Sequence, residues 1–163
     1  MIEIQALEPG DWRVVREVRL RSLEDAPSAF TSSYERGSAF DEVTWRDRAS
    51  TCQWFVAMDA ARPIGIAGGI RGWSGDPAER ELIGMWVAPS HRRQGMARRL
   101  LDRVAEWARS EGASTLSLSV RQGNDGARVA YLTMGMRSTG EVRSVWNDPT
   151  ETVNVMELDL GTP

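Results

Sequence analysis

This chain predicts an α/β sandwich, and three observations carry the prediction. Its 163 residues suit one domain, 1–163, long enough to bury a sizeable core. Apolar runs of strand length alternate with segments whose apolar residues recur at helical spacing. Between Glu81 and Leu101 an apolar strand is followed by a short loop rich in Arg and Gly and then by an amphipathic helix.

At the N-terminal end, Asp11 can cap a first helix running to about Glu24, anchored by Val14, Val15, Val18 and Leu23. Arg13, Glu17 and Arg21 stack at i, i+4 on its wet side. Pro27 cannot continue a helix, so Asp25 to Phe30 is a turn. A second short helix is expected near Asp41 to Ser50. Gln53 to Met58 reads as a strand, and Ile64 to Trp73 as another that Gly65, Gly68 and Gly69 weaken or kink. Gly72 to Ala78 is a turn, and Glu81 to Val87 is the strand that feeds the Arg loop. Ala97, Leu100, Leu101, Val104, Ala105 and Ala108 then share one helical face, with Gly112 placed as a C-terminal cap. Leu116, Leu118 and Val120 alternate with Ser117 and Ser119, the pattern of a half-buried strand. Asn124 caps a helix to about Met134. Strands near Met136 to Arg143 and Val153 to Leu160 can pair as a hairpin through Asn147-Asp148-Pro149.

The Arg loop is the most informative segment. A strand feeding a loop that opens a helix makes an anion site. The first N–H groups of the helix lack partners within it, and its dipole places partial positive charge there. Here Arg92, Arg93 and Gln94 lead into Gly95, Met96 and Ala97, with no acidic residue among them. Gly95 lets the backbone turn tightly and approach a ligand, and the small Ala97 leaves room beside it. Phosphate is the expected guest. The helix body beyond, with Arg98, Arg99, Arg103 and Arg109 off its apolar face, is an ordinary core helix with a solvated basic side.

Composition excludes several classes. All 20 basic residues are Arg, which rules out a Walker-type phosphate loop and a pyridoxal Schiff base, since both need Lys. One Cys (Cys52) and one His (His91) rule out a disulfide framework and a Cys/His zinc site, so no metal is expected. Cys52 reads as a core-edge residue and His91 as a surface loop residue. No Gly-x-Gly-x-x-Gly follows a strand, against a dinucleotide fold. Hydrophobic content of 41% and charged content of 26% are those of an ordinary globular chain. A net charge of −3 argues against a nucleic-acid or anionic-lipid partner. No apolar run approaches a membrane span, and no signal-peptide pattern opens the chain, so a cytoplasmic setting is expected. A homodimer is compatible with the sequence, which does not define the oligomeric state.

Arg92-x-x-Gly95-x-Ala97 resembles the acyl-CoA signature Gln/Arg-x-x-Gly-x-Gly/Ala of the GNAT acyltransferase superfamily. It lies between the strand ending Trp86-Val87-Ala88-Pro89 and a helix continuing Arg-Arg-Leu-Leu. Further on, Asn124-x-x-Ala127-x-x-x-Tyr131-x-x-x-Gly135-Met136 resembles the second signature, Asn-x-x-Ala-x-x-x-Tyr-x-x-x-Gly-Phe, with Met136 in place of Phe. The resemblance runs from about Arg62 to the C-terminus and extends more loosely to the N-terminal helices. It implies a twisted mixed sheet of about six or seven strands with about four helices on both faces. It also implies an acetyl-CoA-dependent N-acetyltransferase acting on a primary amine of a small molecule or peptide, by direct attack in a ternary complex.

Such a transfer must deprotonate the amine, steady the carbonyl oxygen as it gains charge, and protonate the leaving thiolate. The resemblance assigns Glu81 as the base, with a water relay or Glu79 as alternatives. It places the oxyanion donors at backbone amides near Met85, where Gly84 is consistent with a bulge, and pairs Met85 and Val87 with the cofactor through main chain. It makes Tyr131 the general acid, protonated at neutral pH; a half-buried core Tyr is the competing reading. Asn124 is a helix cap, a pantetheine contact, or both. The cofactor-binding set is therefore Met85, Val87, Arg92, Arg93, Gln94, Gly95, Met96, Ala97, Arg98, Asn124 and Tyr131. Trp86 could wall the acceptor pocket, and Pro27 to Tyr34 occupy the place where the superfamily shapes it. A non-catalytic acyl-CoA-binding module on the same fold is the alternative, and a nucleic-acid reader using the Arg-rich helix ranks last.

Overall fold

The strand Arg62–Arg71 is buried along nearly its whole length, and a strand hidden on both faces needs cover from both. That cover organises the molecule. The computed structural model describes residues 1–145 and 147–162. Its elements in chain order are β1 (Ile2–Ala6), α1 (Trp12–Asp25), α2 (Tyr34–Ser38), α3 (Glu42–Thr51), β2 (Gln53–Asp59), β3 (Arg62–Arg71), β4 (Glu79–Val87), α4 (Met96–Ser110), β5 (Thr115–Arg121), α5 (Asp125–Thr133), β6 (Arg137–Val145) and β7 (Asp148–Asp159). The strands form one sheet in the order β1-β2-β3-β4-β5-β7-β6. Every neighbouring pair is antiparallel except β4 and β5. This is the expected mixed α/β architecture.

Glycines let the helices come close to the sheet. A Cβ added at Gly65 would lie 3.2 Å from Leu100 of α4, and one at Gly69 only 2.2 Å from Trp107 of α4. On the opposite face, a Cβ at Gly84 would lie 3.0 Å from Arg19 of α1. Helix α4 buries Met96, Leu100, Leu101, Val104, Ala105 and Ala108, its predicted stripe, with Met96 replacing the partly exposed Ala97 at the first turn. Gly112 follows α4 with φ +81, the left-handed turn expected of a C-terminal cap.

Several expectations change at element ends. Asp11 does not cap α1 with its side chain; its carboxylate instead accepts the Glu8 N–H at 2.8 Å and closes the preceding turn. Asp41 is a true cap, accepting the Thr44 N–H at 2.9 Å. Strand β1 was not expected. It is a five-residue edge strand whose only apolar side chains are Ile2 and Ile4 plus a terminal Ala, too short to show a period. Helix α2, five residues capped by Ser33, was also not expected. Strand β7 begins at Asp148, which pairs with Val145, so Asp148 and Pro149 belong to the strand rather than to the turn.

Candidate active site

The parallel pair β4·β5 supplies the site by failing to continue. Its register runs only through Glu79↔Thr115, Arg80↔Leu116 and Glu81↔Ser117. Beyond it, Leu82 to Met85 on one side and Leu118 to Val120 on the other line a cleft of about 300 Å³. On its other edge β4 also leaves its ladder: Gly68 faces Ile83 and Ile66 faces Trp86, so two steps on β3 match three on β4. The extra residue is a bulge, and Gly84 takes φ +65 within it. Gly84 and Met85 have no register partner on β3 or β5. The bulge expected from Gly84 is present.

Glu81, Met85, Asn124 and Tyr131 all line this cleft, together with Ala29, Phe30, Thr31 and Ser32 from the turn after α1. Glu81 is half-buried, and among the described residues its carboxyl has no hydrogen-bond partner. Burial pushes its pKa up, Arg143 pulls against this, and the nearby Glu79 adds to the rise. Glu79 differs: its carboxylate accepts the Ser117 hydroxyl at 2.6 Å and that of Ser74 as well. Tyr131 projects from α5, and burial raises its phenol well above the ordinary value, so it stays protonated throughout the neutral range. Among the described residues its hydroxyl has no partner. Asn124 caps α5, accepting the Ala127 N–H at 3.3 Å. Cys52 lies at the cleft edge with its thiol raised by burial, the opposite of an activated nucleophile.

The Arg loop stands apart from the cleft lining, as does Val87. Arg93 takes φ +59 and Gly95 φ +77, which turn the chain sharply into α4. No side chain caps α4, and a Cβ at Gly95 would meet nothing within 4 Å. The first amides of the helix are therefore open to an approaching anion. Arg92 is engaged: its Nε donates to the Val87 carbonyl at 2.8 Å, and its Nη2 pairs with Asp25. Gln94 donates to the Ser90 carbonyl at 3.1 Å, and Arg98 pairs with Asp102 at 2.9 Å. His91 contacts Ser90 and Asp59. Trp86 does not wall the cleft. It is buried, and its indole N–H donates to Asp25 at 2.8 Å. Its strand neighbours Met85 and Gly84 take the cleft position instead, because alternate residues of a strand face opposite sides and the bulge resets that alternation.

Two residues of consequence had no mark in the sequence. Asp25 binds both Trp86 and Arg92, which lie 61 and 67 positions away. Arg19 reaches the cleft from α1. Neither stands in a motif.

Residues 19–136 match the Acetyltransferase (GNAT) family. The chain is 32% identical over 120 residues to the human protein named N-acetyltransferase 8, a match covering 70% of this chain and 46% of that one. It is 29% identical over 119 residues to the N-alpha-acetyltransferase RimI of Mycobacterium tuberculosis, covering 72% of this chain and 73% of the relative. The chain thus spans less than half the length of the human relative. The structure of yncA from Salmonella typhimurium with its cofactor acetyl-CoA superposes with a TM-score of 0.76 at 17% identity, covering 100% of this chain and 96% of the other.

Proposed function

The chain belongs to the GNAT acetyltransferase family, and on that footing we propose that it moves an acetyl group from acetyl-CoA to a primary amine of a small molecule or peptide. The transfer is a direct attack within a ternary complex. The observation that carries this reading is the convergence in one cleft of a half-buried carboxyl without a hydrogen-bond partner, a strand bulge, and a half-buried phenol without a hydrogen-bond partner, at Glu81, Met85 and Tyr131.

When bound, acetyl-CoA supplies the activated acetyl thioester. Met85 and Val87 would hold its arm through main chain, Asn124 and Tyr131 would flank the arm, and the uncapped start of α4 with Arg93, Gln94, Gly95, Met96, Ala97 and Arg98 would hold its phosphates. Arg92 serves by shaping that loop, since Asp25 and Val87 already occupy its guanidinium. The likeness to a fold solved with acetyl-CoA supports the assignment.

Each step then falls to a group on the chain. Glu81, made more basic by burial, accepts the amine proton directly or through one water. The Met85 N–H, outside the sheet ladder, donates to an oxygen gaining negative charge. Tyr131, still protonated, donates its proton to the departing sulfur.

The test is calorimetric titration with acetyl-CoA, desulfo-CoA and ADP, followed by an amine screen read by released thiol. Micromolar binding of both CoA forms with ADP much weaker is expected. Tyr131→Phe, which keeps the ring, should lower kcat by about 10²-fold or more without weakening acetyl-CoA binding. Absence of heat and of any thermal shift with every CoA form would defeat the reading. Tight binding with no turnover of any amine would favour the non-catalytic acyl-CoA module.

A further inference from the structure

Three arginine side chains, Arg19, Arg48 and Arg121, line the cleft, and acetyl transfer itself uses none of them. Arg19 lies with its guanidinium carbon 4.8 Å from the Phe30 ring centre and 5.8 Å from that of Trp54. Its Nη1 donates to Ser22 Oγ at 3.3 Å and would stand 3.0 Å from a Cβ placed on Gly84. The cation therefore rests against the bulge. Arg48, exposed at the same cleft, stacks 4.6 Å over Phe40. Among the described residues neither has a carboxylate in ion-pair contact. The other cations nearby are neutralised: Arg121 pairs with Glu151 at 3.0 Å, and Arg143 with Glu141 at 2.6 Å. Burial lowers Arg19 to about 10, helped by the like charge of Arg48, so it remains a cation at neutral pH. A cation held away from water without a counter-ion is costly, and an incoming anion offsets that cost.

The geometry points to a carboxylate subsite formed by Arg19 and Arg48, so that the acceptor is a free amino acid or a similar small amine bearing a carboxylate. This rests on the acetyl-transfer reading of the same cleft. A guanidinium stacked on aromatic faces keeps its in-plane N–H groups for a carboxylate, which it grips with two parallel bonds. Because Arg19 lies beside the bulge, the subsite suits an acceptor whose carboxylate is close to its amine, as in an α-amino acid. Two unneutralised cations also disfavour a polyamine.

The test pairs each common amino acid with its carboxamide and its decarboxylated amine, with spermidine alongside, in the thiol-release assay. Acetyl-CoA affinity is measured separately by calorimetry. At least one acid should be used with a kcat/KM about 10- to 100-fold above that of its amide, the worth of a charged hydrogen-bonded pair. Arg19→Gln should erase that ratio by lowering kcat/KM for the acid alone, leaving the amide and the acetyl-CoA Kd unchanged, and Arg19→Lys should restore part of it. Equal losses for acid and amide would make Arg19 a structural residue and overturn the subsite. If Arg19→Gln does not fold, the exposed Arg48→Gln is judged by the same ratio. Acetyl-CoA binding with acids and amides used alike, with spermidine preferred, or with no acid used, overturns the subsite and leaves acetyl transfer standing. Failure to bind acetyl-CoA removes acetyl transfer, and the subsite with it.

Discussion

Glu79 and Glu81 sit two positions apart on one strand, yet their surroundings give their carboxylates different work. Glu79 is occupied by two serine hydroxyls, whereas Glu81 is half-buried and unpartnered at the cleft. Glu81→Gln should lower kcat by about 10²- to 10⁴-fold. The wild-type rate should climb with pH through the raised Glu81 value and then level off, and the variant should lack that limb. The same burial predicts a stability effect of opposite sense. The folded state holds the Glu81 proton more tightly than the unfolded chain does. The favourable contribution is therefore complete below the ordinary Glu value and is lost as pH rises through the folded one. At neutral pH Glu81→Gln should leave the thermal midpoint unchanged or higher; a marked fall would mean that the carboxylate is structural. Glu81, Tyr131 and Asn124 could be named as candidates from the sequence because spacing to a motif is a property of the chain, and the structure brings all three to one cleft. Arg19 was not, since nothing along the chain separates it from Arg13 or Arg16 on the same helix.

The proposed oxyanion site depends on an element rather than on a side chain, since β4 would supply it through one irregularity. A bulge frees Met85 from the ladder only if Gly84 can hold φ +65. Alanine there meets two penalties: a left-handed backbone, and a Cβ about 3 Å from Arg19 and from the Trp54 ring. Gly84→Ala should cost about 1–3 kcal/mol in urea denaturation, the usual toll of a non-glycine residue in that region, and should also depress acetyl transfer. Normal stability and activity would show that the bulge is not needed. Strongly periodic or motif-bearing elements, α4 and β5 above all, were legible at their centres. Elements of five residues, β1 and α2, were not, because a period needs more turns or alternations than they have. The cap at Asp11 failed for a related reason: its carboxylate had a competing partner one turn back, in Glu8.

At the scale of the whole molecule, α4 ties the Arg loop at its start to the centre of the sheet. Leu100 is fully buried and sits over Gly65 of β3. Leu100→Ala should lower unfolding free energy by about 2–5 kcal/mol, read as a reduced denaturant midpoint with an unchanged slope. A loss under 1 kcal/mol would mean that the core closes over the gap more readily than a packed interior does. Among the described residues no helix is long and apolar enough to cross a membrane. By itself the sequence determined the class of fold, the strand–loop–helix with its open helix start, and the candidates Glu81, Tyr131 and Asn124, all consequences of local periodicity, capping chemistry and motif spacing. Only the tertiary structure decided that β4 and β5 part after Glu81 and so open a cleft. It alone turned Trp86 into the core, gave Arg92 to Asp25, and brought Arg19 against the bulge. Those outcomes depend on which side chains meet across dozens of residues, and packing settles that only once the sheet and both helical layers are in place.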